Sequence, residues 1–236
     1  MADLLRQIIN MSLTAGAVIL VVLLAGIGIY LRNGFYGNCV PERRSFYVRS
    51  GSEYRTLEDS LDAAIAHTAF FRFYARHIEL DRSFKPGHYV LEPGMNVVQV
   101  ARMLKLGLQT PVRVTINNVR TRAQLAGKLA RQIEADSATI VAALTDPATA
   151  RKAGFDSVTL FSMFIPDTYE FYWTVSPAQF IERMRREYDR FWTPQRDAKR
   201  QRSGLSRLEV MTLASIVYEE TRQSDEMPRI AGVYIN

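Results

Sequence analysis

Hydrophobic residues are concentrated at the start of the chain. No charged residue lies between Gln7 and Leu31, and the segment 13–31 is almost wholly apolar. As a helix, this segment would span roughly 28 Å, which is close to the thickness of the hydrocarbon core of a membrane. The run is longer than the apolar part of a signal peptide, and no small-residue cleavage site follows it. The pattern predicts a short N-terminal segment at 1–12 and an uncleaved, single transmembrane helix at 13–31.

After residue 33 the pattern changes to short alternating and amphipathic segments. Alternation of apolar and polar residues predicts strands within 45–54, 88–91 and 111–119. Helical spacing predicts helices over 56–78, 97–106, 121–135, 137–146 and 177–192. Asn96 and Ser137 are predicted N-caps. A loop is predicted around Pro166, and a loop or a frayed helix end over 193–204. No internal repeat is evident, and the mixture of elements predicts the α+β class.

Composition is that of a folded protein and excludes several kinds of chemistry. The chain has 236 residues, 47% of them hydrophobic and 23% charged, with a net charge of +6. This mildly basic balance suits anionic lipid heads or acidic polymers, and we expect no nucleic-acid partner. One cysteine, Cys39, excludes an intramolecular disulfide. The chain has no phosphate-binding glycine motif and no histidines at metal-ligand spacing, so no cofactor and no metal are predicted, and any catalysis must rest on a carboxylate.

The last strongly helical segment contains two adjacent glutamates, Glu219 and Glu220. The segment opens with Ser206 three residues before Glu209, which is the spacing of a capping box and gives Glu209 a structural role. At about 100° per residue, Glu220 falls on the apolar face that includes Val217, whereas Glu219 falls more than a quarter turn away. The spacing therefore predicts that Glu219 is a solvated carboxylate and that Glu220 points towards the core or a cleft.

Two interpretations of Glu220 follow from this position. Burial disfavours the charged form of a carboxylate, so a buried glutamate can release and retake a proton near neutral pH, as a general acid/base must. The alternative is a structural ion pair with one of the many arginines of the chain. Spacing alone leaves both open.

Several segments together resemble the membrane-anchored endolytic murein transglycosylases of the YceG-like family. "LASIVYEET" followed by "MPRIAGVYIN" resembles the signature helix of the family and its continuation. "FIPDTYEFYW" resembles its Pro-Asp-Thr loop, and "KPGHYVLEPGMNVVQVARMLKLG" resembles a LysM-like module. The order and spacing of these segments make the resemblance specific. It covers most of the chain.

The resemblance implies a chemistry and the residues that perform it. The essential glutamate of the family precedes the Thr of the signature, which corresponds to Glu220 before Thr221. It would act on peptidoglycan glycan strands as a lyase that leaves 1,6-anhydromuramoyl ends and terminates strand elongation. Asp167, Thr168, Tyr169 and Ser215 are candidate substrate-groove residues.

The resemblance also implies an organisation and a location. The LysM-like module would occupy 40–108 and a mixed catalytic domain 109–236, and members of the family normally continue beyond the position of Asn236. The protein would be a single-pass protein of the plasma (inner) membrane, with the segment 1–12 in the cytoplasm and the body on the periplasmic side, near peptidoglycan synthases. Charge counting opposes this orientation, because only Arg6 precedes the span while Arg32, Arg43 and Arg44 follow it.

Two other functions compete with a lytic transglycosylase. One is a non-catalytic, membrane-anchored protein that binds glycan through the LysM-like module alone. The other is a hydrolase in which Glu220 is the acid and Glu170 or Asp167 is the second carboxylate that ordinary glycosidases use.

Overall fold

The computed structural model describes residues 2–117 and 119–235, with side chains described from residue 15 onward. The chain divides into two compact units, one comprising residues 1–110 and the other residues 111–236. Helices and short strands occur in both, as the sequence predicted for a mixed fold. The LysM-like character of the first unit stays a prediction.

The first unit consists of an N-terminal helix followed by two antiparallel strands that enclose three helices. Its elements are, in chain order, α1 (Ala2–Tyr36), β1 (Arg44–Val48), α2 (Tyr54–Asp62), α3 (Thr68–His77), α4 (Leu80–Ser83), β2 (Gly87–Leu91) and α5 (Val97–Leu106). β1 pairs with β2 from Arg44 opposite Leu91 to Val48 opposite Gly87.

The end of α1 packs directly against the rest of this unit. The part from Ala15 to Tyr36 is long and apolar enough to cross a membrane, with a mean hydropathy of 2.2. Gly34 lies against the ring of Phe70 on α3, where a Cβ would overlap that ring. Phe70 also makes edge contacts with Tyr30 and Phe35, at centroid distances of 5.3 and 5.0 Å. An N-terminal helix of this kind is a membrane anchor or a signal sequence.

The second unit also has two antiparallel strands that enclose helices, followed by further helices. Its elements are β3 (Val112–Ile116), α6 (Arg122–Ala130), α7 (Ser137–Thr145), α8 (Pro147–Lys152), a 3₁₀ helix (Thr159–Met163), β4 (Asp167–Phe171), α9 (Pro177–Phe191), α10 (Pro194–Arg202), α11 (Arg207–Glu220) and α12 (Met227–Ile235). β3 pairs with β4 from Val112 opposite Phe171 to Ile116 opposite Asp167.

The first strand of each pair and the helix that follows it correspond between the two units, and equivalent positions are a constant number of residues apart. β1 and α2 (44–48 and 54–62) correspond to β3 and α6 (112–116 and 122–130), 68 residues later. The buried positions correspond as well. Leu57, Leu61 and Ile65 are matched by three residues that are also buried, Leu125, Leu129 and Ile133.

The second strand of each pair and the helix that follows it also correspond, but here equivalent positions are 80 residues apart. β2 and β4 are both followed by a turn and by a helix whose N-cap forms a capping box, Asn96 with Gln99 in one and Ser176 with Gln179 in the other. Each strand has a buried tyrosine whose hydroxyl donates to the carbonyl oxygen four residues earlier. The distances are 2.8 Å for Tyr89 and 2.7 Å for Tyr169.

The chain therefore contains a structural duplication, and the prediction that it has no internal repeat was wrong. We call 44–106 the first repeat and 112–191 the second repeat. The offset rises from 68 to 80, so the second repeat has 12 more residues between its strands, where α8 and the 3₁₀ helix lie. Buried apolar positions and caps are shared, while few residues are identical, and so neither composition nor a single period reveals the repeat.

Four local predictions are corrected by the structure. The helix predicted over 56–78 is two helices, because the chain turns at His67, whose φ is 59°. The predicted loop around Pro166 runs into strand β4, in which Tyr169 and Phe171 are buried and Glu170 between them is exposed. The segment 193–204, predicted as a loop or a frayed helix end, contains a separate helix, α10, with Thr193 as its N-cap. The N-cap of α7 is Asp136, whose carboxylate accepts from the Thr139 amide.

Removing the hydroxyl of Tyr89 or of Tyr169 should lower the local stability of the two repeats by a similar amount. Tyr89→Phe and Tyr169→Phe each leave a carbonyl oxygen that has lost its donor, and we expect a loss of about 1–2 kcal/mol of local stability in either case. Burial raises the pKa of both phenols to about 12. Hydrogen exchange, read by mass spectrometry on peptides of each unit, measures the cost. Tyr172→Phe is the control because Tyr172 is 57% exposed. A cost confined to one repeat would contradict the equivalence of the two bonds.

Candidate active site

Helix α11 holds both glutamates that the sequence singled out. Its N-terminus is fixed by the predicted capping box, in which the Ser206 hydroxyl accepts from the Glu209 amide and the Glu209 carboxylate accepts from the Ser206 amide, at 3.2 and 2.7 Å. These bonds lower the pKa of Glu209. Val210 and Met211 pack on the core of the second unit, so the first turns of the helix are its anchored part.

The other end of α11 stops at Glu220. Thr221 is the C-cap and takes an extended conformation, with φ −144° and ψ 150°. Its buried hydroxyl donates to Glu226 at 2.7 Å and accepts from the Gln223 amide at 3.0 Å. The Thr that follows the glutamate therefore holds the turn between α11 and α12.

Glu220 is exposed, so of the two predicted environments, the core or a cleft, the structure rules out the core. Val217 is the buried residue of α11, and Ile216 on the same face is 36% exposed. Glu220 lies in the final turn of α11, beyond the part of the apolar face that packs on the core. Periodicity therefore predicted its face of the helix but not whether another element covers this turn. The carboxylate is therefore open to a ligand.

Tyr234 is the hydrogen-bond partner of Glu220. Its hydroxyl, on α12, donates to Oε1 of Glu220 at 3.2 Å. The negative charge of Glu220 raises the pKa of Tyr234 and keeps the phenol protonated. Reasoning from spacing missed Tyr234. Its only signal in the sequence is its place in "GVYIN", the segment after the signature.

Glu219 forms an ion pair instead of remaining solvated alone. Arg120 donates to its carboxylate at 2.5 Å, and both side chains are about half exposed or more. Arg120 lies four residues after Ile116, which pairs with Asp167 at the end of the β3–β4 ladder. This pair joins the C-terminal turn of α11 to the segment that follows β3. No sequence pattern identified Arg120.

The groove candidates differ in how accessible they are. Asp167 is exposed and accepts from the Thr168 amide at 2.7 Å. The Thr168 hydroxyl is hydrogen bonded to that of Thr115 at 2.9 Å. Tyr169 is only 8% exposed and donates to Ile165, as described above. Ser215 is exposed, but its hydroxyl donates to Thr212 in its own helix at 2.7 Å. Their roles stay predictions, and Asp167 is the candidate with the most freedom to meet a ligand.

A cavity of about 690 Å³ lies at the opposite end of α11 from Glu220. Three of its lining residues, Asp197, Arg200 and Arg207, form one ion-pair cluster. The two guanidinium groups lower the pKa of Asp197 to about 2. The charges of Asp197, Arg200 and Arg207 are already paired with one another, and the place of the cavity beside the N-cap of α11 gives this cluster a structural explanation.

Comparisons with known proteins agree with the resemblance of the sequence motifs. The profile of the YceG-like family matches residues 46–236. A crystal structure of a YceG-like protein from Listeria monocytogenes is 20% identical, with a TM-score of 0.46, and the match covers 79% of this chain and 67% of that one. A search of curated proteins finds no match. The matched region is most of the chain, so this protein belongs to the YceG-like family, the family of murein transglycosylase-like proteins.

Proposed function

We propose that this protein is an endolytic lytic transglycosylase that cleaves nascent peptidoglycan strands between N-acetylmuramic acid and N-acetylglucosamine. The observation that carries the proposal is Glu220. Its carboxylate is exposed at the end of an anchored helix and hydrogen bonded to the Tyr234 hydroxyl, in a chain of the YceG-like family. An exposed carboxylate with a neutral donor beside it is accessible to a sugar and is held in one orientation.

The reaction needs only one carboxyl group. Protonated Glu220 gives its proton to the glycosidic oxygen, and the bond from that oxygen to C1 of the muramoyl residue breaks. The resulting carboxylate takes a proton from the C6 hydroxyl of the same residue, whose oxygen then bonds to C1. The products are a 1,6-anhydromuramoyl end and a free hydroxyl on the released strand, and no water is consumed. A glycosidase that uses water needs a second carboxylate.

The other parts of the chain fit this reaction. The first repeat, with two antiparallel strands enclosing helices, supports a LysM-like module that holds glycan. The apolar helix would keep the enzyme at the outer face of the plasma membrane, where new strands leave the peptidoglycan synthases. Asp167 and Thr168, at the sheet edge nearest the Arg120–Glu219 pair, would line the substrate groove with Ser215 and Tyr169.

A digest of purified, uncrosslinked glycan strands tests the reaction. We expect products with 1,6-anhydromuramoyl ends, which mass spectrometry distinguishes from reducing ends by the mass of one water. Reducing ends would instead mean a hydrolase that uses Asp167 or Glu170 as its second carboxylate. Glycan that binds but stays intact would favour the non-catalytic, membrane-anchored binding protein.

A further inference from the structure

A second cavity, of about 700 Å³, lies where β4 turns into α9 in the second repeat. Its size is within the range of sites that bind small molecules. The residues relevant to binding are Glu170, Tyr172, Gln179, Glu182, Arg183 and Arg186. The cavity lies beyond the C-terminal end of β4, whereas Asp167 is at the N-terminal end, roughly 14–17 Å away at about 3.4 Å per residue. It is therefore separate from the end of the sheet at which Asp167 lies.

The cavity offers an aromatic surface beside polar groups. Tyr172 lines the cavity and is 57% exposed, so its ring is accessible to a ligand there. The carboxylate of Glu170 makes no ion pair within 4.0 Å and no hydrogen bond among the described residues, although Arg113 lies opposite it on β3. The Gln179 side-chain oxygen accepts from the Ser176 amide at 3.0 Å, which fixes the orientation of its amide group.

The arginines of the cavity are held in place by neighbours on α9. Arg186 is paired with Glu182 at 2.8 Å, and Arg183 with Glu187 at 2.6 Å. Because each guanidinium already has a carboxylate partner, the site has little net charge with which to attract an anion. An aromatic face, a free carboxylate and a fixed amide suit a neutral, hydroxyl-rich ligand instead.

Comparison of the repeats shows that Glu170, Tyr172, Arg183 and Arg186 have no counterpart of the same kind in the first copy, whereas Gln179 corresponds to Gln99 of the shared cap. The positions 80 residues earlier place Val90 where the second repeat has Glu170, and Glu92 where it has Tyr172. Met103 and Leu106 correspond to Arg183 and Arg186. The cap and the buried core are shared by the two copies, so the scaffold does not require these polar and aromatic residues.

We propose that the β4–α9 cavity is a saccharide-binding site in which the Tyr172 ring stacks on a pyranose and Glu170 and Gln179 bind its hydroxyl or N-acetyl groups. The site extends the proposed function by giving the enzyme a second hold on the glycan strand, away from the bond that is cut. A pyranose presents C–H groups on its face and hydroxyl groups at its edge, which match the ring of Tyr172 and the polar groups around it.

Hydrogen exchange on the full chain carrying Glu220→Gln tests this site without turnover. The protein is kept in detergent, and the tetrasaccharide of β-1,4-linked N-acetylglucosamine is the probe. We expect the sugar to slow exchange in peptides covering 170–186. Tyr172→Ala should raise the sugar concentration needed for half of this effect by about tenfold or more, whereas Tyr172→Phe, which keeps the ring, should change it by less than about threefold.

Glu92→Ala is the matched control, at the same position of the first repeat. It should leave the response of 170–186 unchanged. Circular dichroism checks that each variant is folded. The proposal is overturned if 170–186 shows no protection, or if protection is equal with and without the ring of Tyr172. The readout does not depend on cleavage, so a Tyr172-dependent response in a protein that cuts no glycan would refute the proposed reaction and leave this site standing.

Discussion

Glu220→Gln should lower the rate of glycan cleavage by about 10²–10⁴-fold, the usual contribution of a general acid/base. The amide has nearly the shape of the carboxylic acid, but it can neither protonate the glycosidic oxygen nor take the proton of the C6 hydroxyl. Glu220 is exposed and terminates its helix, so the substitution removes no core contact. The rate of release of anhydromuramoyl ends measures the effect. The pKa of Tyr234 should fall at the same time, because the charge that raises it is gone.

Two other glutamates of α11 make this result specific. Glu209→Gln is the matched control, since glutamine at this position also completes a capping box and the site is at the far end of the helix. Glu219→Gln weakens an exposed pair with Arg120, which is worth roughly 0.2–1 kcal/mol, and should reduce the rate by less than about tenfold. If Glu219→Gln abolished cleavage and Glu220→Gln did not, the catalytic glutamate would be Glu219.

The sequence predicted well those features that depend on neighbouring residues. Asn96 caps α5, Ser206 and Glu209 form the capping box of α11, and α9 begins at Pro177, as predicted. Each of these depends on side chains that bond to backbone groups within one turn, so a short window of sequence contains the whole interaction.

Features that depend on distant residues were not predictable in the same way. The break at His67 requires a left-handed backbone conformation that the helical pattern on both sides conceals. Strand β4 exists because β3, more than fifty residues earlier, supplies its hydrogen-bonding partner. The exposure of Glu220 depends on whether another element packs on the end of α11. Periodicity identifies the apolar face of a helix but not the element that packs against it.

The duplication shows the same limit on a larger scale. Leu57 and Leu125, or Tyr89 and Tyr169, look unrelated until the strand registers align them. The 12 additional residues of the second repeat shift the period midway, so no constant spacing connects the two copies. Only the three-dimensional arrangement shows that "PGHYVLEPGMN" and "PDTYEFYWTVS" both form a strand, a turn and the N-cap of the next helix.

Phe180→Ala should be the most destabilising single change in the second unit, at about 3–5 kcal/mol. Phe180 is only 1% exposed and lies on the face of α9 that covers the sheet. Its ring centroid is 5.2 Å from that of Phe171 on β4 and 5.8 Å from that of Phe164. Removing the ring leaves a cavity between β4 and α9 that the backbone cannot close without shifting. The second unit then loses both the transfer free energy of the buried ring and its packing contacts.

Tryptophan fluorescence during urea unfolding measures this loss in the second unit alone. Both tryptophans of the chain, Trp173 and Trp192, lie between residues 111 and 236. The control is Glu182→Ala, on the exposed side of the same helix, where loss of the pair with Arg186 should cost no more than about 0.5 kcal/mol. A loss of less than about 1 kcal/mol for Phe180→Ala would mean that the aromatic cluster does not hold α9 on β4. In that case the cavity that carries Tyr172 would lack the fixed strand–helix geometry that sugar binding requires, because its two walls are the end of β4 and the first turns of α9.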